Sequence, residues 1–71
     1  MFHKLYIKGM SCEHCKKRVE EALKNHEAIR TVKVNLDDGT ADLDTIRDMR
    51  FDELNEVIEN SGYELVKIEK K

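Results

Sequence analysis

Leu5-Tyr6-Ile7-Lys8-Gly9-Met10-Ser11-Cys12-Glu13-His14-Cys15 is the stretch on which the fold turns, because the period of the hydrophobic pattern changes across it. Before Gly9 the period is two: Leu5 and Ile7 share one face of a strand, and Lys4, Tyr6 and Lys8 take the other. From Cys15 onward Val19, Ala22, Leu23 and His26 fall on one helical stripe, with Lys16, Lys17, Glu20, Glu21 and Lys24 outside it and Asn25 as the helix end. Gly9 breaks the first pattern and opens a loop, most simply by allowing a backbone conformation that other residues resist. Both cysteines of the chain, Cys12 and Cys15, lie in this strand-to-helix crossing.

The remaining segments follow the same reading. Ile29 to Leu36 alternates, with Val32, Val34 and Leu36 on one face, and Asp37-Asp38-Gly39 is a hairpin signal. Thr40 to Asp44 is a strand with Ala41 and Leu43 inward and Asp42 and Asp44 outward, where the two carboxylates serve solubility. A second helix spans Phe51 to Asn60, its buried stripe made of Phe51, Leu54, Val57 and Ile58, with Asp52 and Glu53 suiting the positive end of its dipole. Ser61-Gly62 ends it, Tyr63 to Ile68 forms a last strand, and Lys70 and Lys71 are expected to fray. The order βαββαβ implies an α+β, ferredoxin-like sandwich: a four-stranded antiparallel sheet with both helices on one face.

The bulk properties set limits. A chain of 71 residues is one domain, residues 1–71, with one small core. A domain of this size buries roughly 60% of its unfolded surface, so a site belongs on the surface rather than in an enclosed cavity. Thirteen basic and fifteen acidic residues are interspersed, net charge −2, which gives no electrostatic reason to expect nucleic acid or direct membrane binding. No apolar run approaches the ~20 residues of a membrane span. The alternating, charged N-terminus is unlike a signal peptide, so the expected location is cytoplasmic, where the two thiols stay reduced. The start at Met1 and the Lys70-Lys71 ending favour a free-standing chain over a domain cut from a longer one.

Two thiols this close can hold one soft metal ion or exchange one disulfide. Unpaired N–H groups and the dipole at a helix start favour thiolate over thiol, and Lys16, Lys17 and Arg18 add positive charge. Structural zinc normally takes four ligands; here His3, His14 and His26 stand at spacings that complete no zinc motif. Soft thiolates in low number suit Cu(I), and an under-coordinated, exposed site leaves a flank for a partner's thiols. The competing readings are a site for another soft ion (Hg, Cd or Zn) and a small thiol–disulfide oxidoreductase using the same pair. Against the oxidoreductase, the chain has no Trp and no Pro of the kind that surround a thioredoxin-like CxxC. Met10 is read as core, His14 as an exposed residue that alternatively modulates the thiolates or serves as a third ligand, and His3 and His26 as structural. Lys16, Lys17 and Arg18 form a solvated helix face, or a docking patch for an acidic partner.

Gly9-Met10-Ser11-Cys12-Glu13-His14-Cys15 resembles the GMxCxxC signature of the heavy-metal-associated domain family. The likeness extends to the element order, the Asp-Gly hairpin and Ser61-Gly62-Tyr63, and so covers essentially the whole chain. Within the family the chain is most similar to free-standing bacterial copper chaperones. The resemblance implies Cu(I) as cargo, Cys12 and Cys15 as its ligands, Gly9 and Met10 as supports of the loop, and Tyr63 near the metal. Ser11 stands where zinc-exporting relatives often carry an aspartate, which favours copper. The implied partner is the N-terminal metal-binding domain of a copper-transporting P-type ATPase, with a copper-responsive repressor as a further recipient. The implied state is a monomer, or a homodimer bridged by copper through four cysteines. Arg50 departs from the pattern by taking the place of a small helix N-cap.

Overall fold

Alternation along β1 (Phe2–Lys8) becomes burial: His3, Leu5 and Ile7 enter the interior while Phe2 and Lys8 stay outside. The computed structural model describes residues 1–70; Lys71 and its expected fraying lie outside them. β1 pairs antiparallel with β3 (Thr40–Thr45) on one side and β4 (Glu64–Lys70) on the other, and β2 (Ile29–Asn35) pairs antiparallel with β3. The sheet order is therefore β2-β3-β1-β4. Helices α1 (Glu13–Lys24) and α2 (Phe51–Asn60) connect central to edge strands and cover one face, giving the ferredoxin-like α+β sandwich that the element order implies. Between helices and sheet lie Leu5, Val19, Leu23, Leu43, Leu54 and Ile58, each nearly or fully inaccessible. Burial of each such side chain stabilises the fold by about 1.5–3 kcal/mol before the entropy of ordering is counted.

Several local expectations are corrected. Phe51, assigned to the buried stripe of α2, is 45% exposed, whereas Met49 is fully buried. Arg50 is the N-cap, so Phe51 is the first helical residue and sits where the turn faces outward. Met49, just before the cap, and Leu54 occupy the two positions that a hydrophobic staple brings together, and both are in the core. Arginine has no acceptor for a helical N–H; instead the Glu53 carboxylate accepts the Arg50 N–H at 3.2 Å. Lys70 does not fray: it is the last residue of β4, opposite His3, and its ammonium binds Asp48 at 2.9 Å. Helix α1 starts before Cys15, at Glu13, and ends at Lys24. His26 therefore lies beyond the helix, its Nδ1 accepting the Ala28 N–H at 3.1 Å.

Three chain segments meet at one end of the sheet. Pairing of Lys8 with Glu64 brings the end of β1 beside the start of β4, and the Ile7 N–H donates to Gly39 of the β2–β3 hairpin at 2.8 Å. The turn between α2 and β4 is equally fixed. Gly62, at φ 92°, follows the Ser61 cap; its N–H reaches the Glu59 carbonyl at 2.9 Å, and the Tyr63 N–H reaches Ile58 at 3.1 Å. This is a Schellman closure, which needs the left-handed residue that glycine supplies. It moves Tyr63 out of the expected strand, which begins at Glu64, and sets it in the loop facing the β1–α1 crossing.

Candidate metal site

The β1–α1 crossing runs exposed from Lys8 and Gly9 through Ser11, with Met10 turned inward at 9% exposure as the loop's attachment to the core. Gly9 has φ 99°, and a Cβ there would stand 3.4 Å from Cδ1 of the Tyr63 ring. The glycine thus meets two demands, a left-handed backbone and close approach of the ring.

Cys12 is the N-cap of α1, with extended backbone (φ −150°, ψ 168°), and its carbonyl accepts the Lys16 N–H at 3.1 Å. Cys15 follows in the first turn. The two Sγ atoms are 3.1 Å apart, and both cysteines are free thiols, Cys12 exposed and Cys15 half-buried. The Cys15 thiol is lowered to about 6. The largest cause is a hydrogen bond from the Tyr63 hydroxyl, followed by the Ser11 backbone N–H and the Cys12 thiol; burial opposes them, and the Cys12 backbone N–H adds the least. Each of these donors stabilises negative charge on sulfur. Tyr63 responds in the opposite sense, raised because its proton is committed to Cys15, while Arg18 acts on it in the lowering direction. At neutral pH the Cys15 sulfur is therefore favoured as thiolate.

Among the described residues no group of three or more His, Cys, Asp or Glu side chains is placed to hold a metal. His14 is exposed on the first turn, His3 is buried in the sheet, and His26 lies beyond the far end of α1. Lys17 and Arg18 are exposed and Lys16 half-buried, so the site carries cations on its helix side. The structure adds two elements that spacing does not reveal: the Ser11 backbone as a donor to Cys15, and Arg18 near the Tyr63 hydroxyl. What remains is a pair of soft donors on an open surface, able to take one thiophilic ion and leave it accessible.

Residues 4–64 match the heavy-metal-associated domain. Copper chaperone CopZ of Staphylococcus aureus is 35% identical over 63 residues, 87% of this chain and 93% of that protein. The solved structure of a CopZ metallochaperone superposes with a TM-score of 0.82 at 33% identity, over 93% of this chain and all of the other. A copper binding domain from HMA7, a P-type ATPase, superposes at 0.81 with 28% identity, covering 99% of this chain and 100% of that one.

Proposed function

The chain belongs to the heavy-metal-associated domain family, and we propose that it is a cytoplasmic metallochaperone that binds Cu(I) through Cys12 and Cys15 and hands it on by ligand exchange. The observation that carries this reading is the exposed pair of sulfurs 3.1 Å apart, one favoured as thiolate, with no third metal-binding side chain among the described residues. Two soft donors suit a monovalent soft cation better than zinc, which asks for three or four ligands. The similarity to CopZ copper chaperones supports copper as cargo.

Transfer proceeds through the open flank. The Tyr63 hydroxyl and the Ser11 amide hold Cys15 as thiolate before the metal arrives, so little proton release remains to be done at that sulfur. A recipient thiol releases its proton to solvent as its sulfur adds to bound Cu(I); one sulfur of this chain then leaves copper and takes a proton back from solvent, so protons balance over the exchange and copper stays Cu(I) throughout. The recipient proposed is the N-terminal metal-binding domain of a copper-transporting P-type ATPase, and a copper-responsive repressor would draw on the same exchange. Lys16, Lys17 and Arg18 beside the site would steer an acidic recipient onto it. Thiols competent for this chemistry require a reducing compartment, which supports the cytoplasm. The role proposed is that of a carrier and not an enzyme, a reading that the similarity to copper chaperones supports.

The test is an anaerobic titration of the reduced chain with Cu(I) against a chromophoric chelator, with Cys12→Ser and Cys15→Ser alongside. One tightly bound equivalent, lost in both variants while their apo fold persists, is the expected result. Failure to compete with the chelator would overturn the copper assignment, and unfolding of the apo variants would mark the cysteines as structural.

A further inference from the structure

His3 is the one ionisable side chain buried in the interior among the described residues, 2% exposed, and it lies at the end of β1 away from the cysteines. Its two nitrogens have unequal tasks. Nε2 is 3.2 Å from the backbone nitrogen of Met49, whose N–H can only donate. The same Nε2 is 3.3 Å from Asp48 Oδ1, which as a carboxylate can only accept. Nδ1 is 3.4 Å from Thr45 Oγ1, and the Thr45 hydroxyl gives its hydrogen to the Arg47 carbonyl at 2.6 Å, leaving its oxygen to accept from Nδ1–H. Neutral His3 therefore carries its proton on Nδ1 and offers the Nε2 lone pair to Met49. Its contact with Asp48 is then unfulfilled, because one nitrogen cannot present a lone pair and a proton at once.

We propose that His3 is a proton-operated latch on the β3–α2 connection: neutral, it holds the Met49 N–H, and on protonation it gives up that bond for one to Asp48 and releases residues 46–50. One proton comes from solvent to Nε2; the Met49 N–H···Nε2 bond breaks and an Nε2–H···Oδ1 bond forms. The freed N–H belongs to a residue whose side chain is fully buried just before the N-cap of α2, so loss of its acceptor leaves a buried donor unsatisfied and loosens the start of that helix.

The surrounding charges bear on the switch from each neighbouring element. Asp48 favours imidazolium, but Lys70 of β4 already occupies it, 2.9 Å from Oδ1 and 3.1 Å from Oδ2. Asp44 of β3, opposite Phe2, is paired with the Met1 ammonium at 3.3 Å. Arg47 opposes imidazolium and is itself held by Glu53 at 2.7 Å. The latch is thus a competition between Met49 and Asp48 for one nitrogen among paired charges, remote from the metal loop.

The experiment is ¹⁵N NMR of the full, reduced chain from about pH 8 to about pH 5, the range in which histidine changes charge. Imidazole shifts report the His3 tautomer and titration; amide exchange, corrected for its intrinsic pH dependence, reports protection at Met49. The expected result is an Nδ1–H tautomer at neutral pH and a loss of Met49 protection of about tenfold or more with the His3 midpoint, while Leu23 in α1 keeps its protection. His3→Gln, which retains an acceptor that does not titrate, should flatten the Met49 curve, and Asp48→Asn should move the His3 midpoint down. An Nε2–H tautomer at neutral pH, constant Met49 protection through the titration, or a His3 that stays unprotonated in the folded chain over the whole range would each overturn the proposal. If His3→Gln does not fold, the wild-type tautomer and exchange curve decide the matter.

Discussion

The Tyr63 hydroxyl, carried by the turn after α2, is the largest influence lowering the thiol of Cys15 in the first turn of α1. It makes the reactivity of a residue in the first turn of α1 depend on how helix α2 ends.

The pH dependence of Cys15 follows directly. Its thiolate persists down to about pH 6, so alkylation by iodoacetamide should show a midpoint near that value in the native chain. Tyr63→Phe should raise the midpoint toward that of an ordinary thiol while leaving the far-UV circular dichroism unchanged. Because the folded value is depressed, ionised Cys15 stabilises the fold above the ordinary thiol value, and the contribution disappears as pH falls through about 6. An unchanged midpoint in Tyr63→Phe would show that the backbone donors and the Cys12 thiol set the thiolate without the ring.

Gly9→Ala should damage the site and the fold together. Alanine at φ 99° is strained by about 1–2 kcal/mol, and relief of that strain would shift the loop whose Gly9 lies in contact with the Tyr63 ring. Urea denaturation should show the loss of stability, and the Cys15 alkylation midpoint should rise as the Tyr63 contact is disturbed. Unaltered thiol reactivity in a destabilised variant would separate the loop backbone from the ring's position.

Met49→Ala and Phe51→Ala discriminate the observed start of α2 from the one the hydrophobic stripe suggests. Met49 is fully buried, so its truncation should cost about 2–5 kcal/mol in chemical denaturation. Phe51 is 45% exposed, and its truncation should cost less than about 1 kcal/mol. The reverse ranking would place Phe51 in the core after all.

Glu53 is lowered to about 2, chiefly by its hydrogen bond with Arg47 and then by the Arg50 N–H. A carboxylate depressed in the folded state stabilises it above the ordinary glutamate range and ceases to do so as pH falls through about 2. Glu53→Gln keeps an acceptor for Arg50 but loses the ion pair, so its midpoint of urea unfolding should lie below wild type at neutral pH and converge with it near pH 2. A gap of constant size across that range would show that the effect is not ionic.

How much of this was legible in the sequence depends on how local the cause is. The change from period two to period 3.6 across Gly9, the Asp37-Asp38-Gly39 hairpin and the burial of Leu5, Ile7, Leu43, Leu54 and Ile58 follow from side-chain patterns within a few residues, and so do the element order and the fold. The two cysteines at a helix start announce thiolate chemistry for the same reason: the unpaired N–H groups that favour it belong to that helix itself.

Tertiary structure alone decided what happens at element ends and between distant strands. Periodicity says which face is apolar but not whether Met49 or Phe51 takes the last core position, because that depends on where the helix begins against the sheet. Nor does it say that Tyr63 leaves the strand to reach Cys15, which rests on the Schellman turn at Gly62 and the register of β4 beside β1. Its place on a strand marks His3 as structural, but its shared nitrogen between Met49 and Asp48 exists only because β1 and the β3–α2 connection are brought together by folding. Hydrophobic pattern is a property of neighbours along the chain; a hydrogen bond across the fold is a property of register, and register is set when the sheet closes.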